Sequence, residues 1–168
     1  ENAALAVTNG KIAWFGPEKE LPSSTIKEKR SLNGEWITPA LIDCHTHLVF
    51  SGNRATEFEE RLQGKSYEEI ALGGGGIMST VNATRNASFS SLLTASEKRL
   101  QSLKNEGVAT IEIKSGYGLD LETEKRMLEV ARAIGKKNNI SVTSTFLGAH
   151  TMPPEFSEKG KYIKFLCD

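Results

Sequence analysis

The sequence is short of cysteine. Cys44 and Cys167 are two in 168 residues, too few for a disulfide framework, and their scarcity fits a reducing compartment. It also lacks an excess charge of either sign. Lys plus Arg number 21 and Asp plus Glu number 21, which argues against a basic field built to grip nucleic acid or an anionic membrane. No apolar run approaches the roughly 18 residues that cross a bilayer. There is no secretory signal pattern, and the chain begins at Glu1 rather than Met, so an upstream start is open. Low-complexity tracts are missing as well. With 38% hydrophobic residues recurring throughout, disorder is not expected, and the length suits one ordinary domain with a substantial core.

Along the chain, the first 38 residues read as short strands and turns. Segments 4–8 and 11–15 flank Asn9-Gly10, a dipeptide suited to the two-residue hairpin turn with positive φ. Residues 21–24 read as a loop, and a second pair, Asn33-Gly34, precedes Glu35-Trp36-Ile37-Thr38 as another candidate hairpin. So few short strands need a partner sheet or domain to cover them. After Pro39, Leu41 and Ile42 open an apolar run that resumes at Leu48-Val49-Phe50, which predicts a buried strand with polar groups near its end. Residues 51–88 form a long Gly-rich connection with one short helix, opened by the capping-box signature Ser66-Tyr67-Glu68-Glu69 and closed before Gly73.

The pattern then becomes regular. Leu92, Leu93, Ser96, Leu100 and Leu103 share a face of a helix over 91–106 that Gly107 stops. Residues 108–113 are rich in β-branched side chains and predict a strand. Asp120 caps a helix with Met127, Leu128, Ala131 and Ile134 in one stripe, ended by Gly135. A strand over 140–147 and a helix from 159 to 167 follow. This alternation is the mark of parallel α/β architecture.

All three histidines, His45, His47 and His150, fall just inside or just past a predicted strand, where ligands gather in parallel α/β folds. His45 and His47 are two apart, so on a strand they project from one face and can bind one transition metal without completing its shell. Hydrogen-bonded core or surface histidines are the bland alternative. Cys44 alternates away from Asp43 and His45, which predicts an inert buried thiol, and Cys167 has no ligand spacing with it. Gly73–Gly76 lacks the Gly-Lys-Ser/Thr ending of a phosphate loop and reads better as a hinge. Lys114-Ser115-Gly116-Tyr117-Gly118 follows a strand directly, and its glycines let backbone approach a ligand beside Tyr117; a tight turn with a packed tyrosine is the alternative.

Thr38-Pro39-Ala40-Leu41-Ile42-Asp43-Cys44-His45-Thr46-His47 resembles the first barrel strand of the metal-dependent amidohydrolase superfamily. Within it, Val49-Phe50-Ser51-Gly52-Asn53-Arg54, Glu57-Phe58, residues 73–80, 112–119 and 145–150, and Pro153-Pro154 resemble the imidazolonepropionase family. Ala40 and Ser51 stand where that family commonly has Gly. The resemblance implies a small β-sandwich, of which residues 1–38 would be the N-terminal part, and a (β/α)8 barrel of the amidohydrolase type, of which residues 39–168 would be the first three units. That makes the chain an N-terminal portion, with the remaining metal ligands and the acid–base group beyond Asp168.

The same resemblance implies His45 and His47 as ligands of one zinc or iron ion. It implies Arg54 as the clamp on the substrate carboxylate, Tyr117 as a substrate contact, and His150 as a substrate-binding and oxyanion-stabilising catalytic histidine. The implied activity is cytoplasmic hydrolysis of 4-imidazolone-5-propanoate to N-formimidoyl-L-glutamate in histidine degradation, with a small-molecule substrate, no nucleic acid or membrane partner, and a homodimer left open. Another cyclic-amide or amino hydrolase of the superfamily, or a chain that binds ligand without turning it over, are the rival expectations. The 168-residue piece alone is expected to be inactive.

Overall fold

The computed structural model describes residues 2–23 and 26–168. The chain divides into two compact units, Glu1–Pro39 and Ala40–Asp168.

The first unit is built on one antiparallel hairpin, β1 (Ala3–Thr8) and β2 (Lys11–Pro17). Asn9 and Gly10 both take positive φ, 52° and 73°, as the two-residue turn that matches strand twist requires. The register slips between Ala6 and Val7, a bulge in the pairing. Asn33-Gly34 also turns with positive φ at both residues, and Glu35 N–H donates to the Leu32 carbonyl. No strand follows, however: residues 35–38 have no regular structure and no ladder partner among the described residues, so this pair is a turn and not a hairpin. Of the loop expected over 21–24, Leu21–Ser23 has no regular structure; Ser24 lies outside the described residues.

The second unit is a three-stranded parallel sheet, β3 (Leu41–Thr46), β4 (Val108–Lys114) and β5 (Ser141–Thr145), in that order. It is a small α/β body and not a closed barrel. Between β3 and β4 run four helices, α1 (Ala55–Leu62), α2 (Tyr67–Leu72), α3 (Ile77–Arg85) and α4 (Phe89–Asn105). Between β4 and β5 lies α5 (Leu121–Asn138), and α6 (Lys159–Cys167) ends the chain. The core is one-sided. Ile111 and Ile113 of β4, Leu92 and Leu100 of α4, and Met127, Val130, Ala131 and Ile134 of α5 are all buried in one cluster. The alternate residues of β4, Thr110, Glu112 and Lys114, are only half-buried and polar, as the period of two dictates.

Several local expectations change. The stretch after β3 holds three helices where one was expected, because α1 and α3 are only eight and nine residues long and neither is opened by a side-chain cap. The expected α2 is there with its capping box closed: Ser66 Oγ accepts from Glu69 N–H at 3.2 Å, and Glu69 Oε2 accepts from Ser66 N–H at 2.8 Å. Gly73–Gly76 joins α2 to α3, with Gly76 as the residue before the helix. The stop of α5 is Asn139 at φ 49°, not Gly135, which is buried in the last turn of the helix, where a Cβ would sit 2.8 Å from Val142. Val130, and not the half-buried Leu128, completes its buried stripe. The apolar run expected to form one buried strand divides: Leu48 and Val49 are buried beyond the strand, whereas Leu41 and Ile42 are 56% and 70% exposed. Among the described residues β3 is an edge strand, paired on one side only, and its register slips between Asp43 and Thr46. That also leaves Cys44 exposed, against the expectation of a buried thiol, and Cys167 is exposed at the end of α6.

Candidate functional site

Parallel strands put their carboxyl ends on one edge, and the candidate residues collect there. His47 follows the last residue of β3, Tyr117 stands three residues past β4, and His150 lies in a 3-10 turn, Gly148–His150, beyond β5. Their rings meet. The His47 ring centre is 5.6 Å from that of His45, 5.2 Å from Tyr117 and 4.7 Å from His150, and Tyr117 is 5.5 Å from His150. Four residues separated by as many as 105 positions in sequence thus form one contiguous aromatic group.

His45 is exposed and His47 half-buried. Burial pushes the His47 imidazole below the ordinary histidine value; the neighbouring His150 and His45 act in the same direction, and the Ser115 main chain opposes it. A neutral imidazole is the form that ligates metals. His47 Nδ1 is buried and has no hydrogen-bond partner among the described residues, and a buried polar atom left unpaired calls for an explanation. A metal ion would supply one, and two imidazoles two residues apart are a donor pair suited to zinc or iron. Among the described residues, no group of three or more His, Cys, Asp or Glu is arranged to hold an ion. His150 therefore stands beside His47 without closing a three-histidine site.

Arg54 lies at the start of α1, its Nε 2.8 Å from Glu57 Oε2. It lines a cavity of about 340 Å³ together with Phe50, Gly52, Asn53, Thr80, Arg99 and Tyr117. Tyr117 is the link: it lines the cavity with Arg54, and its ring meets the histidine group. A larger open hollow of about 580 Å³ runs along α4, lined by Ser90, Ser91, Thr94, Ala95, Lys98 and Arg99. It contains none of the candidate residues, whereas Arg54 and Tyr117 both line the smaller cavity.

Arg99 escaped the sequence reading. Its guanidinium lies 3.5 Å above the centre of the Phe50 ring, and its Nη1 donates to the carbonyls of Leu48 and Phe50 at 3.0 and 3.1 Å. It fixes the chain just past His47 and closes one wall of the cavity. Nothing local in the sequence marks it, since it is one more cation on an amphipathic helix. Glu57, by contrast, had a local signal in its i,i+3 spacing from Arg54. On β4, Glu112 is held below the usual carboxylate range by hydrogen bonds from Lys114 and Thr145, and its main-chain carbonyl accepts from Thr46 Oγ1 at 2.7 Å, tying the strand of the histidine pair to its neighbour.

No protein-family model matches the chain. Its sequence is 58% identical over 159 residues to the imidazolonepropionase of Shewanella woodyi, covering 94% of this chain and 39% of that protein. It is 53% identical over 169 residues to the imidazolonepropionase of Pseudomonas entomophila, covering 100% of this chain and 42% of that protein. With the imidazolonepropionase of Psychrobacter cryohalolentis it shares 52% over 172 residues, 99% of this chain and 40% of that protein. The chain is thus homologous to imidazolonepropionases along nearly all of its length, and it spans about two fifths of theirs.

Proposed function

We propose that this chain carries the first metal-ligand pair and the substrate-recognition face of an imidazolonepropionase, a metal-dependent hydrolase that opens the ring of 4-imidazolone-5-propanoate to N-formimidoyl-L-glutamate in histidine degradation. The observation that carries the reading is that one residue, Tyr117, lines the Arg54 cavity and meets the His47–His150 group through its ring. Such a junction suits a molecule with a carboxylate at one end and a reactive planar ring at the other. In this reading β3, β4 and β5 are the first three strands of a (β/α)8 barrel, residues 1–38 belong to a small β-sandwich, and the enzyme works in the cytoplasm. No described helix is long and apolar enough to cross a membrane.

His45 and His47 would hold the ion, zinc or iron, and His47 would do so through the nitrogen now without a partner. When bound, the ion lowers the pKa of water towards neutrality and so supplies a nucleophile. The rest falls to the chain. Arg54 takes the propionate carboxylate in a two-pronged contact, exchanging its present partner Glu57 for the substrate. Phe50, with Arg99 stacked on it, and Tyr117 present ring surfaces that orient a planar imidazolone. His150 directs an N–H at the ring carbonyl oxygen as negative charge develops there, a contact typically worth about 3 to 4 kcal/mol of barrier.

Arg54→Lys in the complete gene product tests the clamp. An ammonium keeps the charge and loses the two-pronged geometry. Steady-state kinetics should show kcat/KM reduced by roughly tenfold or more, chiefly through KM; an unchanged kcat/KM would remove Arg54 from the carboxylate site.

A further inference from the structure

We propose that Glu124 is a positioning residue: its buried carboxylate holds the Tyr117 loop in place and thereby sets where Tyr117 and His150 stand relative to His47. Its catalytic consequence rests on the function proposed above.

Glu124 is the fourth residue of α5 and is only 3% exposed. A buried carboxylate demands hydrogen-bond donors, and among the described residues all of those that reach it come from one loop. Oε1 accepts from the N–H groups of Gly118 and Leu119 at 2.7 and 2.8 Å, and Oε2 accepts from Gly116 N–H at 2.9 Å. These three amides bracket Tyr117. The loop that presents them is bent in a way main-chain pairing alone does not favour, with φ of 116° at Gly116 and 57° at Leu119, the latter a region a leucine rarely enters. Glu124 thus takes the place of an anion seated in a nest of backbone donors.

Two further ties make the loop rigid on its other side. Arg85 Nε donates to the Gly118 carbonyl at 2.7 Å and lies 3.0 Å from Asp120 Oδ2. Ser115 Oγ accepts from Leu147 N–H at 3.0 Å. The loop also abuts His150 without slack: a Cβ at position 116 would lie 2.9 Å from His150 Cβ and 3.0 Å from the Leu147 oxygen. A displaced loop therefore moves Tyr117 and His150 together. His45 lies on β3 and His47 directly follows it, and among the described residues Glu124 makes no side-chain hydrogen bond to that segment. The metal-ligand pair and the substrate-facing pair are thus placed by different parts of the fold.

Glutamine is the discriminating substitution. It keeps one acceptor oxygen and turns an NH2 towards the amide the other oxygen served, so a donor meets a donor. In the complete gene product, Glu124→Gln should speed amide exchange at Gly116, Gly118 and Leu119 by about tenfold or more while β4 and the middle of α5 keep their protection. It should leave metal content unchanged and lower kcat/KM by about tenfold or more, and that loss should shrink in a Tyr117→Ala background. Unchanged exchange at the three amides, or an equal loss across α5 and β4, would overturn the positioning role. So would a kinetic loss undiminished in the Tyr117→Ala background. A wild-type protein that opens no imidazolone ring would overturn the functional reading instead, and the exchange pattern would still decide whether Glu124 holds the loop.

Discussion

The two units spend their apolar residues differently. In the first, Phe15 is 77% and Trp36 93% exposed, and Val7, Ile12 and Ile37 are exposed with them. A two-stranded hairpin has no second layer on which to lay a face, and alone is marginal in water. In the second, the side of the sheet towards α4 and α5 buries Ile111, Ile113, Leu92, Leu100, Met127 and Ile134 completely or nearly so. Its other strand face offers Glu112, Lys114 and Thr145, joined by hydrogen bonds. The α/β unit therefore has a layer that supports it and an edge on which the candidate residues collect, whereas the hairpin unit has little that depends on its own side chains.

That contrast sets a scale of mutational effects. Ile111→Ala, at a fully buried position of β4, should cost about 2 to 5 kcal/mol in urea unfolding, the range for emptying a packed core position. Ser66→Ala should cost about 1 kcal/mol by opening the capping box of α2, with faster amide exchange confined to that helix. Phe15→Ala should cost about 0.5 kcal/mol or less, because little is lost when an exposed ring is removed. A loss at Phe15 as large as that at Ile111 would mean the hairpin is held by contacts of its own face, and the contrast would fail.

Legibility in the sequence followed the same division. Where burial is one-sided and periodic, as in α4, β4 and α5, the pattern of apolar residues located each element to within a few positions. Where local chemistry is self-contained, it was equally readable: Asn9-Gly10 turns with positive φ and Ser66 caps its helix. Failures came where a neighbour decides. Cys44 alternates as a buried residue should, yet it lies on an edge strand with a slipped register and is exposed. Gly135 reads as a helix stop but serves close packing against Val142. Within the site, the histidines, Arg54 and Tyr117 were visible through strand-end position and family resemblance, and the fold gathers the histidines and Tyr117. Arg99 and Glu124 were invisible, because their partners are main-chain groups on other segments, and nothing in a side chain's own neighbourhood announces a distant carbonyl or amide.

The division of labour between His45 and His150 is the claim on which the functional reading depends. Metal content after dialysis and ring-opening rate, measured together on the complete gene product and on its His45→Ala and His150→Ala forms, test it most directly. The expected result is about one ion per chain and full turnover in the unsubstituted protein. His45→Ala should lose both metal and turnover, and His150→Ala should keep its metal while turnover falls by roughly a hundredfold or more. A His150→Ala protein stripped of metal, or one that opens the ring at the original rate, would contradict the placement of His150 on the substrate and not on the ion.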